Sequence, residues 1–367
     1  MNPETTRPTG DLYRLGADIP GGLETMQAVV PQAELPGQKL PYYLRNGAGE
    51  RYLAGGLVVA LKARGADTGG LFEWAVITGG KGAQLPAHHH ETTHETLYVL
   101  NGEVELWLAD QKHLLIRGDF ASIPAGTRHA LRTRSHHTQV VAMSSGDQMS
   151  ALYRTLGTPY AGHVPPPDAA SAPAAAALKA AEAASDVRFA GGVLSDAPGQ
   201  RAERTELPKS EVPYVLAAGE GDRYLIGDQL FQVLCDNATT GGKLLVVGTE
   251  GPAGDMIVKH FHREHSEAFF CVDGRMRMWA NQSLVDVEPG DFVAIPAGTI
   301  HAYQFKSPFT RMVGLLTPGI FEQFFRSAQP YAGHVYPQQP GPGPNFAVVS
   351  KLDLFLTERP GPPSTPN

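Results

Sequence analysis

Residues 82–102 read GAQLPAHHHETTHETLYVLNG, and residues 254–274 read GDMIVKHFHREHSEAFFCVDG. The two stretches share one frame, with Gly82, His88, His90, Glu95 and Gly102 matching Gly254, His260, His262, Glu267 and Gly274. Fifteen residues after each comes a second pair: GDFASIPAGTRH over 118–129 and GDFVAIPAGTIH over 290–301, ending on His129 and His301. Every matched position is 172 residues from its counterpart. Residues two apart on a strand point to the same face, so His88 and His90 project together, as do His260 and His262. Asn101-Gly102 is a hairpin signal that places Glu95 on the strand before it. The turn Pro124-Ala-Gly126 starts the strand carrying His129. Four side chains from three strands therefore converge, and they do so twice.

The surroundings read as β-structure. Val104, Leu106 and Leu108 alternate with Glu103, Glu105 and Trp107, a period of two. Short apolar runs at 76–78, 97–100 and 139–143 are punctuated by glycine turns. Many short strands at close spacing predict an all-β fold of two tandem jelly-roll barrels with a short helical connector. The duplication extends outward. PYYLRNGAGERYL at 41–53 recurs as PYVLAAGEGDRYL at 213–225, and PYAGHV at 159–164 recurs at 330–335. The expected organisation is an N-terminal extension (1–36), a first barrel (37–164), a linker (165–208), a second barrel (209–336) and a C-terminal tail (337–367). The alanine-rich 174–184 predicts the connector's helix, packing on one barrel. Both ends are expected to fray, although 352–356 is apolar enough to dock.

The chain has 367 residues, 42% of them hydrophobic, which can supply two cores. A net charge of −7 without any basic run disfavours nucleic acid and anionic membrane as partners. Cys235 and Cys271 are the sole cysteines and lie in apolar runs, so they read as small buried hydrophobes and no disulfide framework is expected. No signal peptide or membrane span is legible, and a cytoplasmic setting is expected.

Three imidazoles and one carboxylate suit iron, manganese, copper, nickel or cobalt, one divalent ion per barrel, without selecting among them. One His-x-His on a strand is weak evidence for a site. Here the carboxylate and third histidine also fall in place, and six of the fourteen histidines occupy the repeated positions. The repeat fixes the register at 88 and 90, so His89 faces away. His94 and His265 precede the glutamates at unequal offsets, and each reads as a neighbouring or surface group rather than a symmetric ligand. His136 and His137 read as solvated turn residues, and His163 and His334 as structural.

The paired motifs resemble the cupin signature over almost the whole chain outside the tails. The stretches 41–53, 145–160 and 316–326 are more closely similar to the bacterial bicupin quercetin 2,3-dioxygenases. That resemblance implies oxygenative ring cleavage of a flavonol with O2, releasing carbon monoxide and a depside. It implies His88, His90, Glu95 and His129 as metal ligands with Glu95 also the base, and His260, His262, Glu267 and His301 as a second set. It favours the first set as the working one. Phe72, Trp74, Leu97, Phe120, Ile123 and Leu131 are candidate walls of a flat apolar slot, with core packing the plainer reading of each. Three departures bear on substrate: Thr133 and Phe305 replace the usual asparagine, Leu131 faces Tyr303 across the repeat, and Arg128 puts a cation beside His129. The rival readings are an oxalate decarboxylase type of bicupin and a metal-bearing binding bicupin without turnover. A homodimer is the common prior for a soluble oligomer.

Overall fold

The apolar periodicity closes into two β-barrels, each made of two facing sheets. The computed structural model describes residues 31–32 (backbone only), 34–191 and 194–357. Among the described residues, the first barrel combines an eight-stranded and a six-stranded sheet, the second a nine-stranded and a five-stranded sheet. Period two explains where the core goes. In Phe72–Gly79, Ala75 and Ile77 face the first barrel's interior with Leu57, Val59 and Val99. Phe72, Trp74 and Val76 face the other way, into a core shared with Phe270, Phe292 and Val313 of the second half. This strand is apolar on both faces because both faces are covered. Trp74 stacks on Phe270 with centroids 6.0 Å apart and meets Phe292 at 5.3 Å.

The halves exchange strands. Tyr42–Leu44 from the first half pairs with Phe292–Ile295 of the second, and Tyr214–Leu216 from the second pairs with Phe120–Ile123 of the first. The repeated Gly-Asp-Phe locks each exchange. The buried Asp119 carboxylate accepts the amides of Ile116 and, across the junction, Ala218, both at 2.9 Å. Asp291 accepts from Glu288 at 2.9 Å and from Asn46 at 2.6 Å. Gly118 has φ +88, and a Cβ there would stand 2.8 Å from the Ala218 side chain. Glycine is thus required both by the turn and by the approach of the other half.

The linker does more than connect. Its helix, Ala175–Ala184, packs on the helix Met149–Leu156 through the buried Ala181. Val187–Phe189 then adds as a strand beside His88–His90. Ala190 and Leu194 cover Ala87, Trp107 and Ala130, and the Trp107 indole donates to the Ser195 carbonyl at 3.0 Å. The alternation of 103–108 thus does not separate core from solvent at Glu105 and Trp107. Trp107 lies under the linker, and Glu105 is buried against Lys112 at 2.9 Å and Arg132.

In the C-terminal tail, Phe355–Leu356 pairs with His260–Phe261, in keeping with the expected docking of 352–356. The tail before it carries a helix, Phe346–Val349, where fraying was expected. At the other end, Pro31–Gln32 pairs with Tyr43–Leu44 where fraying was expected, and residues 1–30, 33 and 358–367 of the expected frayed ends lie outside the described residues. Among the described residues no helix is long and apolar enough to cross a membrane.

Candidate metal centres

His88 and His90 end the strand Gln84–His90, Glu95 opens Glu95–Asn101, and His129 opens His129–Thr133. Three strand ends thus meet at one mouth of the first barrel. His129 lies opposite His88, but Leu131 lies opposite Leu85, so the ligand strand holds one extra residue. That bulge turns both Leu85 and His88 inward although they are three residues apart. The donor atoms of His88, His90, Glu95 and His129 all lie within 4.8 Å of one another, and all four side chains are buried.

Hydrogen bonds fix the tautomers. The Nδ1 atoms of His88 and His129 donate to the carbonyls of Pro86 at 2.8 Å and Thr127 at 2.9 Å. That of His90 donates to Asp186 Oδ1 at 2.9 Å. Carbonyls only accept, so Nδ1 of His88 and His129 holds the proton, and Nε2 offers a lone pair to the common point. Burial, with His129 and His90 adding to it, pushes the His88 imidazole well below its usual pKa and keeps it neutral. Its Nε2 is buried without a hydrogen-bond partner. His129 Nε2 faces Glu95 Oε2 at 3.0 Å. These are two acceptors in contact unless a cation, a second proton or a metal, stands between them. Burial alone would raise the Glu95 carboxyl, but the hydrogen bond and charge of His129 outweigh it and hold the group low. The donor set fits a divalent metal.

The second barrel repeats the frame with a difference. His301 Nε2 lies 3.0 Å from Glu267 Oε2, and His262 Nε2 lies 3.4 Å from Glu267 Oε1. His260 donates from Nδ1 to Val258 at 2.8 Å, His301 to Thr299 at 3.1 Å, and His262 to the Asp353 carbonyl. The donors gather as two overlapping groups, His260/His262/His301 and His262/His265/Glu267.

Of the proposed slot residues, Leu97, Ile123 and Leu131 line the first barrel's interior. Phe72, Trp74 and Phe120 sit on the opposite strand faces, in the core between the halves, so they do not wall the site. Arg128 is exposed, as are His136 and His137, and His89 is half-buried with Arg188 as its strand partner. His94 is buried and turns away from the centre, with Nε2 2.8 Å from Ser122 Oγ. Sequence reading missed Tyr153, a fully buried phenol whose pKa is pushed up by burial and by the nearby Glu95. It also missed Asp186 and Asp353, the latter accepting the His265 Nδ1 proton at 2.8 Å. A signal existed: Asp186-Val-Arg-Phe189 matches Asp353-Leu-Phe-Leu356, but at a separation of 167 rather than 172. A search at one constant offset passes over it.

Asp186 also accepts the amides of Thr92 at 3.1 Å and Thr93 at 2.9 Å, so it ties the linker to the ligand strand. Asp186→Ala is expected to weaken metal binding at the first centre by about 10–100-fold, as read by competition with a chelator. Unchanged affinity would show that His90 needs no brace.

Comparison with known proteins agrees with this architecture. The cupin domain family matches residues 75–145 and 249–313, one match per barrel. The chain is 45% identical over 307 residues to quercetin 2,3-dioxygenase from Bacillus subtilis, covering 83% of this chain and 91% of that protein. It is 26% identical over 167 residues to quercetin 2,3-dioxygenase from Aspergillus japonicus, covering 41% and 48% respectively. Among solved structures, a variant of Bacillus subtilis oxalate decarboxylase superimposes with TM-score 0.52 at 12% identity, over 81% of this chain and 80% of that one. The Ylba protein of E. coli superimposes with TM-score 0.52 at 11% identity, over 79% and 94%. The two structural likenesses speak for the fold alone. The 45% identity, spread over 91% of the relative, goes further, and the chain belongs to the quercetin 2,3-dioxygenase family of bicupins.

Proposed function

We propose that the chain cleaves the heterocyclic ring of a flavonol such as quercetin with O2, giving a depside and carbon monoxide, at the first centre. The observation that carries this reading is the gathering of His88, His90, Glu95 and His129 at one point, in a chain 45% identical to a quercetin 2,3-dioxygenase. The atoms balance, since the flavonol gains both oxygen atoms and loses one carbon with one oxygen as CO. A bound divalent ion would supply Lewis acidity, lowering the pKa of the flavonol 3-hydroxyl.

The protein's own part is holding and proton transfer. His88, His90 and His129 present Nε2 with their other nitrogens tied down, so little reorganisation is needed on loading. Glu95 faces the same point and takes the 3-hydroxyl proton over a short distance. Leu97, Ile123 and Leu131 supply an apolar wall that suits a flat polyphenol. Both cysteines are free thiols and buried, in keeping with a reducing, cytoplasmic setting.

The test uses the full chain with its metal content measured. Quercetin added without oxygen should shift its absorption band, and air should then bleach it with release of carbon monoxide. Oxalate should give no turnover. Metal-loaded protein that shifts the band but never bleaches it in air would overturn the proposal.

A further inference from the structure

The second barrel holds a fourth imidazole at a position where the first has a threonine. His265 is 1% exposed, and its counterpart across the repeat is Thr93. Its ring sits tilted beside that of His262 with centroids 4.0 Å apart, and it stacks on Phe321 at 4.8 Å, 28° from parallel. Its Nδ1 is held by the Asp353 carboxylate at 2.8 Å. Its Nε2 is buried without a hydrogen-bond partner, 3.5 Å from Glu267 Oε1 and gathered with the donor atoms of His262 and Glu267. The first barrel supplies the comparison. There the corresponding aspartate, Asp186, braces His90, itself one of the expected ligands. In the second barrel the carboxylate has moved one histidine along, and His262 is left to the backbone carbonyl of Asp353. A carboxylate on one ring nitrogen and an unpartnered buried lone pair on the other is how metal-binding histidines are oriented.

We infer that the second centre takes His265 as an additional metal ligand, together with His260, His262, Glu267 and His301, oriented by Asp353 from the C-terminal tail. Four protein donors leave two positions open on an octahedral ion, and five leave one. The two centres are therefore built for different occupancy. Resting on the flavonol reading above, the first has room for two small donors besides the protein, and the second for one. The second centre is then a poor site for oxygenation and a firm holder of metal.

The experiment uses the full chain with His88→Ala and His129→Ala, so that only the second centre loads. Cu(II) is added and the coordinated imidazole nitrogens are counted by pulsed EPR. Four are expected, falling to three in His265→Thr, a change that copies the residue of the first barrel. Chelator competition should show metal affinity falling by about 10–100-fold or more in that variant. Asp353→Asn should weaken binding while keeping four nitrogens. Three nitrogens before any change at His265 overturn the inference, whether or not the His265→Thr variant folds. So would a folded His265→Thr variant with the same spectrum and affinity, which would make His265 a cation bridging Glu267 and Asp353. None of these readings involves a flavonol, so they stand or fall apart from the proposed reaction.

Discussion

Glu95→Gln should lower kcat for quercetin by about 10²–10⁴-fold at equal metal content, while Glu267→Gln should leave most of the activity. The amide keeps the size of the side chain and an oxygen that can still meet the metal, but it cannot take the proton of the 3-hydroxyl. Unequal barrels are the reason for the asymmetry. Leu97, Leu131 and Thr133 of the first correspond to Phe269, Tyr303 and Phe305 of the second. The Tyr303 hydroxyl reaches across to Gln229 at 2.6 Å, and its ring lies 6.2 Å from Phe269 and 5.4 Å from Phe305. Those aromatic rings occupy space that small aliphatic groups leave in the first barrel. Steady-state kinetics with elemental analysis of each variant decides the matter. Loss confined to Glu267→Gln would move the chemistry to the second barrel.

Trp74→Ala should cost about 3–5 kcal/mol of stability and leave the KM for quercetin unchanged. Trp74 is fully buried between the halves, against Phe270 and Phe292, and its removal opens a void that neither barrel can collapse into. The measurement is a urea midpoint alongside steady-state kinetics. A large rise in KM with little loss of stability would return Trp74 to the substrate slot.

The architecture was legible because duplication doubles every signal. His88 alone says little, but His88 and His260 in one frame with Glu95, Glu267, His129 and His301 leave few folds that use them all. The N-terminal donor set was readable for the same reason. What escaped was whatever depends on non-local packing. Phe72, Trp74 and Phe120 are apolar and near the ligands in sequence, yet strand alternation turns them outward into a second core that only the other half creates. Nothing local to Trp107 announces that the linker will cover it. Asp186 and Asp353 sit in segments read as connector and tail, where composition favours disorder and conceals one structured carboxylate in each. His265 was set aside because it breaks the symmetry that revealed everything else.

The exchanged strands have a consequence for biosynthesis. Phe120–Ile123 gains its outer neighbour only from Tyr214–Leu216, some ninety residues later in the chain. While the ribosome is still making the second half, the first barrel carries an open sheet edge at Phe120–Ile123 and a second one on Tyr42–Leu44, which pairs with Pro31–Gln32 on one side and waits for Phe292–Ile295 on the other. Unpaired edges of this kind recruit other chains. Completion of the nascent polypeptide, rather than closure of either half, is therefore the step that ends its exposure to aggregation, and a gene truncated between the halves would leave both defects permanent.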